Sequence, residues 1–276
     1  MFALLQPQAH VIASEVIDEL TVISQNTENR AMKITTLIDK KELDKNVPTV
    51  LSDIFLNKPI IGMRSNSRGE AVLRFRGSGE RQTAIFLDGA SLSIPWDGRI
   101  DLGLLPVGMI DFVNISKGAV PIEYGSNAVL GAVEILSFND CENRACSFKG
   151  EYGSNGMQSY NVANAKVIDD YQLTFAGSYR KRNNFSYSER EVIPFAPVNG
   201  NERINTDSES FSSWVSIGRQ LESASFKLSY LLVDAKKGVP PAGHIDPNKK
   251  KSRYWRYPEW KLEHTTFNLI HNVNNN

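Results

Sequence analysis

The residues able to do chemistry are scattered rather than clustered. Gly77-Ser78-Gly79 follows a strand-like run, but no third glycine opens a GxGxxG helix and no phosphate-loop lysine follows. His10, His244, His264 and His271 lack metal-ligand spacing. No serine sits in a GxSxG elbow. Asp88 and Asp101 fit turn and cap positions better than an acid–base pair. Cys141 and Cys146 are separated by Glu-Asn-Arg-Ala, which suits neither a CxxC zinc site nor a redox site. Two near cysteines outside the cytosol close a small loop as a disulfide; free thiols are the alternative. The expectation is a protein that is not an enzyme and holds no metal or cofactor.

The elements around these residues divide the chain in two. Over all 276 residues, 31 basic and 31 acidic side chains balance, so no global charge draws the chain to nucleic acid. Hydrophobic residues make up 41%, too many for a disordered chain. No apolar run reaches the roughly 18 residues of a transmembrane helix. Yet residues 1–147 hold 8 aromatic residues and 148–276 hold 18. The first stretch is slightly acidic and the second slightly basic.

Within the first stretch, Asp39-Lys40-Lys41-Glu42 has capping-box spacing and predicts a helix over 40–46. A second helix follows Pro48-Thr49, with Val50, Leu51, Ile54 and Phe55 on one face, and Pro59 ends it. Short strands are expected at 35–38, 71–77, 82–87, 111–116 and 132–137, with a helical turn over 107–110. Asp88-Gly89 marks a tight turn. This is a small α+β domain with its own core.

After residue 147 the period changes. Tyr171, Leu173, Phe175 and Tyr179 alternate with Gln172, Thr174, Ser178 and Arg180. Phe226, Leu228, Tyr230 and Leu232 alternate with Ser225, Lys227, Ser229 and Leu231. About seven long strands are expected, joined by polar loops such as 183–208 and 234–252, and the pattern suits a transmembrane β-barrel. Too few strands are present to close one, and lipid does not tolerate open sheet edges.

The densest motif run lies between residues 73 and 136. It holds Arg76-Gly77, Leu87-Asp88-Gly89, Leu105-Pro106, Ile110, Lys117-Gly118, Tyr124-Gly125-Ser126-Asn127-Ala128 and Gly131. In this order and spacing the run resembles the plug domain of TonB-dependent outer-membrane receptors. Asp18-Glu19-Leu20-Thr21-Val22-Ile23 resembles the family's TonB box, an extended segment suited to strand pairing with a coupling protein. Lys237-Gly238-Val239-Pro240-Pro241 and the run Arg253 to Trp260 are similar to early-barrel segments.

The resemblance implies an α+β plug domain with a small mixed sheet, followed by an incomplete antiparallel transmembrane β-barrel. It implies a division into 1–13, the remnant of a signal peptide; 14–30, the TonB box and a flexible segment; 31–146, the plug; and 147–276, the N-terminal portion of the barrel. A ragged N-terminal tail is the alternative for 1–13. The function implied is energised uptake of a scarce large solute, such as a ferric siderophore or cobalamin, at the outer membrane of a Gram-negative bacterium. The implied partners are a TonB-type energy-coupling protein, outer-membrane lipid and an iron-chelate or cobalamin-like ligand, with no nucleic acid. A non-transporting binding module and a non-functional truncated product are the alternatives.

By position, plug loops carrying Arg64, Arg68, Trp96 and Arg99 are expected to meet the solute. Arg76 and Lys117 are expected to lock the plug to wall glutamates that would lie beyond residue 276. The family more often has arginine where Lys117 stands, and a lysine supplies a point charge rather than a bidentate fork. It also has a glutamate where Asn114 stands, and Gly-Pro where Gly118-Ala119 stands.

Overall fold

The computed structural model describes residues 34–46, 48–56, 58, 61–77, 79–95, 97–118, 124, 128, 130–138, 146–188, 194–195, 198–199, 201–241, 243–246, 248 and 254–271. Residues 18–23, the expected TonB box, lie outside the described residues, as do Trp96 and Cys141.

The plug begins with β1 (Ile34–Ile38) and α1 (Lys40–Asn46). The Asp39 carboxylate accepts the Glu42 backbone N–H at 2.8 Å, the cap that the spacing predicts. The second helix, α2 (Leu51–Phe55), is set by Asp53. Its Oδ2 accepts the backbone N–H groups of Thr49 and Val50 at 3.0 and 3.1 Å and the Thr49 hydroxyl at 2.8 Å. These bonds fix the two residues that lead into the helix, and the first helical N–H groups, of Leu51 and Ser52, go to the Leu105 and Leu102 carbonyls at 2.9 and 3.1 Å.

A ribbon of β2 (Ile61–Ser65) and β3 (Ala71–Phe75) follows. The inner strand β4 (Thr83–Leu87) is buried at every position. It turns into β5 (Ala90–Ser91); β6 (Ile110–Lys117) and β7 (Gly131–Ser137) complete the sheet. The sheet order is β1-β6-β7-β4-β5, with β4 and β7 parallel and the other pairs antiparallel, so the sheet is mixed. Residues 107–110 form a turn closed by the Ile110 N–H on the Val107 carbonyl at 3.0 Å, not the helical turn expected.

The wall begins at β8 (Ser147–Gly153) and continues through β9 (Met157–Ile168) and β10 (Tyr171–Arg182). A small sheet of β11 (Phe185–Ser186), β12 (Val198–Asn199) and β13 (Glu202–Arg203) occupies the connection to β14 (Ser208–Gln220). Then come β15 (Ala224–Val239) and β16 (Trp255–His271). Six strands pair antiparallel in the order β16-β15-β14-β10-β9-β8, an open sheet. One correction concerns the loop expected to start at 234. The β15 strand runs on to Val239, and its alternation holds to the end, with Ala235, Lys237 and Val239 buried and Asp234 and Lys236 exposed.

Each wall strand presents one face to the plug and one away from it. Ala165, Ala176, Trp214, Leu231 and Val233 join the same core as plug residues Leu51, Phe55, Phe75, Leu105 and Ile135. The opposite face carries exposed Phe148, Tyr171, Phe175, Phe211, Leu228, Phe267 and Leu269. An apolar exposed face on a sheet whose other face is covered is the pattern of a strand wall facing lipid. Inward hydroxyls pair with each other, Thr174 with Ser216 and Ser229 with Thr266, so these four buried groups are satisfied. Short turns join β9 to β10 and β14 to β15 at one end, and long connections leave from the other.

Candidate functional site

The contact between plug and wall is built by two aspartates at plug turns and two lysines on one wall strand. Asp88 and Gly89 both take positive φ, +48° and +81°, as a two-residue turn between β4 and β5 requires. That turn brings the Asp88 carboxylate onto Ser137, whose backbone N–H and hydroxyl donate to it at 2.9 and 2.7 Å. Lys227 Nζ reaches it from β15 at 3.0 Å and also donates to the Ser137 hydroxyl. From β16, Asn268 Nδ2 donates to the Asp88 carbonyl at 2.8 Å. His264 Nε2 donates to the Ser91 carbonyl at 3.2 Å, two residues past the turn.

Asp101 is the second seat. Its Oδ1 accepts the Ala71 and Gly103 backbone N–H groups at 2.9 and 3.0 Å. Its Oδ2 pairs with Lys237, which also donates to the Gly69 carbonyl at 2.6 Å. The Asp101 side chain is 1% exposed and that of Lys237 11%. Gly69 has φ +72°, and a Cβ there would lie 3.0 Å from a Val239 methyl, so the residue type allows the wall to approach closely.

Near the long-connection end, a third cluster lies within the plug. Arg99 is buried and bonds Glu80 Oε2 at 2.6 Å through Nη1 and Asp97 Oδ2 at 2.6 Å through Nη2, with Glu70 at 3.9 Å. Asp97 also takes Arg81 at 2.6 Å and Arg68 at 3.1 Å. Hydrogen bonds from Arg81 and then Arg99 hold the Asp97 carboxyl down at about 2. Burial pushes Glu80 up, but Arg99 and Asn66 outweigh it and leave its pKa lowered. Burial likewise works against the Arg99 charge, and Asp97 and Glu80 overcome it to raise its pKa.

The expected solute contacts therefore separate. Arg64 is exposed on β2, and the Arg68 side chain is 42% exposed beside Asp97. Arg99 is engaged inside the plug instead of offered outward. Of the expected lock residues, Arg76 is exposed at φ +47°, and Lys117 Nζ donates to Thr36 Oγ1 at 3.1 Å across the β1–β6 ladder. Neither forms an ion pair with another described residue. Cys146 is exposed and forms no disulfide with another described residue; Cys141, its expected partner, lies outside them.

Sequence reasoning missed Lys227, Lys237 and Asn268. A signal existed for Lys227, which alternation puts on the inward face beside Ser229 and Leu231; a lysine there needs a counter-charge.

The family model described as the TonB-dependent receptor plug domain matches residues 27–132. The vitamin B12 transporter BtuB of Vibrio vulnificus is 26% identical over 202 residues, 70% of this chain and 33% of that protein. The FrpB iron transporter of Neisseria meningitidis is similar in structure, with TM-score 0.66 at 16% identity, over 85% of this chain and 37% of its own. The alcaligin outer-membrane receptor FauA of Bordetella pertussis has TM-score 0.62 at 14% identity, over 90% of this chain and 37% of its own. The chain spans about a third of the length of these relatives.

Proposed function

We propose that this chain, a TonB-dependent receptor plug with the first strands of its barrel wall, serves energised uptake of a scarce large solute across a Gram-negative outer membrane. A ferric siderophore or cobalamin is the class of solute that the relatives' names support. The observation that carries this reading is the seating of the α+β domain on the inner face of a strand wall whose outer face is apolar and exposed. A plug inside a wide wall has to move for a solute to pass. Residues 18–23 are the segment we assign to the coupling protein, by strand pairing.

Arg64, Arg68 and Trp96 are the residues assigned to an anionic solute. Arg99 acts behind them by fixing Asp97, which in turn orients Arg68. Arg76 and Lys117 are assigned to wall carboxylates.

The test is uptake of labelled cobalamin and ferric siderophores by cells that make the protein and lack their own receptors. Deleting residues 18–23 should abolish uptake and leave surface binding of the same solute unchanged. Binding with no uptake in the undeleted protein would favour a non-transporting binding module. Absence of both would overturn the reading.

A further inference from the structure

The two lysines sit on one strand, and both ion pairs are largely buried, with side-chain exposures of 15% and 5% for Lys227 and Asp88 and 11% and 1% for Lys237 and Asp101; what differs is the space beside them. Lys237 and Asp101 are sealed between the plug and the wall, and every Asp101 oxygen is occupied by a plug backbone group or by Lys237. Taking one partner from such a pair leaves a buried charge without compensation. Lys227 and Asp88 instead line a cavity of about 670 Å³ between the plug and strands β10, β14, β15 and β16. Its other walls mix polar Glu134, Gln172, Thr174 and Asn268 with apolar Leu136 and Phe226. Water in such a space can take the place of the ammonium on Asp88, and the carboxylate keeps its two Ser137 bonds. The β15 strand runs from a short-turn end at Lys227 to a long-connection end at Lys237, so the two pairs grip opposite ends of the plug.

We propose that Lys237–Asp101 is a fixed anchor and Lys227–Asp88 a releasable latch. Lys227 is then a positioning residue for the Leu87-Asp88-Gly89 turn. When it lets go, the turn and β5 swing away from the wall and the cavity opens between plug and strands. The pivot is the sealed end at Asp101. This deepens the uptake reading and rests on it for its role, though not for the latch itself.

Hydrogen exchange on the full chain in detergent micelles tests the latch with neither solute nor coupling protein, so its result is separate from the fate of the uptake assay. In Lys227→Met, amides at residues 87–92 and 137 should exchange about tenfold faster, with 69–73 and 101–104 unchanged. Lys227→Arg should restore native rates at those amides. Lys237→Met should lose protection throughout the plug or fail to give folded protein. Native rates at 87–92 in Lys227→Met would overturn the latch, as would uniform acceleration over the whole plug. Loss confined to residues 66–71 in Lys237→Met would overturn the anchor.

Discussion

Plug and wall solve the burial problem in opposite ways. In the plug, β4 is buried at all five positions, and the charges that meet the wall, Asp88 and Asp101, stand in turns rather than in strands. The wall keeps strands of up to 17 residues and divides each one between two faces. Its inward charges, Lys227 and Lys237, therefore sit within a strand. Charge at a plug turn and charge on a wall strand meet at the seam, and each needs the other for neutrality. Two regions with different burial logic are thereby fitted in one register.

This contrast can be broken at several points. Trp214 belongs to a wall strand yet is buried in the plug's core. Trp214→Ala should cost about 3–5 kcal/mol in chemical denaturation, as a core substitution would. A loss typical of a surface position would show that the wall does not share the core. Gly131 tests the plug alone, because a Cβ there would lie 2.5 Å from the Phe75 ring and 2.8 Å from the Ser116 carbonyl. Gly131→Ala should destabilise by about 2 kcal/mol through overpacking. Hydrogen exchange should rise in the plug sheet first, with the β14–β15 ladder affected less.

A smaller effect is expected at Asp53, which caps α2 through three hydrogen bonds. Asp53→Ala should cost about 1 kcal/mol, seen as faster exchange at residues 49–53. The smallest effect is the pH response of the Arg99 cluster. The folded Asp97 carboxyl sits at about 2, below its ordinary 3.8. Its stabilisation is complete above the ordinary value and disappears as pH falls through the folded one. Protection of residues 97–101 should fall over that window in the native chain. Asp97→Asn should start with less protection and lack this step.

Much of the plug was legible because its signals are local. Asp39 caps a helix three residues from Glu42, and Asp88-Gly89 turns a hairpin within two residues. The wall's alternation was legible for the same reason, since Leu173 and Thr174 declare opposite faces by themselves. The polar run Asp234 to Gly238 reads as loop because its inward lysine, Lys237, is neutralised by Asp101, 136 positions earlier in the chain. Arg99 reads as a solute contact for a related reason: the carboxylates that enclose it include Glu70 and Glu80, brought in from just before β3 and from the turn after it. The small sheet within 183–207 is held by two-residue pairings too short to leave a periodic trace.

The central claim is that the plug is seated against the inner face of the wall strands. An ideal Cβ on Gly69 lies 3.5 Å from the Val239 Cβ, within the range that a disulfide spans. With Cys141 and Cys146 replaced by serine, Gly69→Cys combined with Val239→Cys should cross-link under mild oxidation. Mass spectrometry after proteolysis should then find the peptide containing residue 69 joined to the one containing residue 239. Two free thiols in the folded protein would contradict the seating.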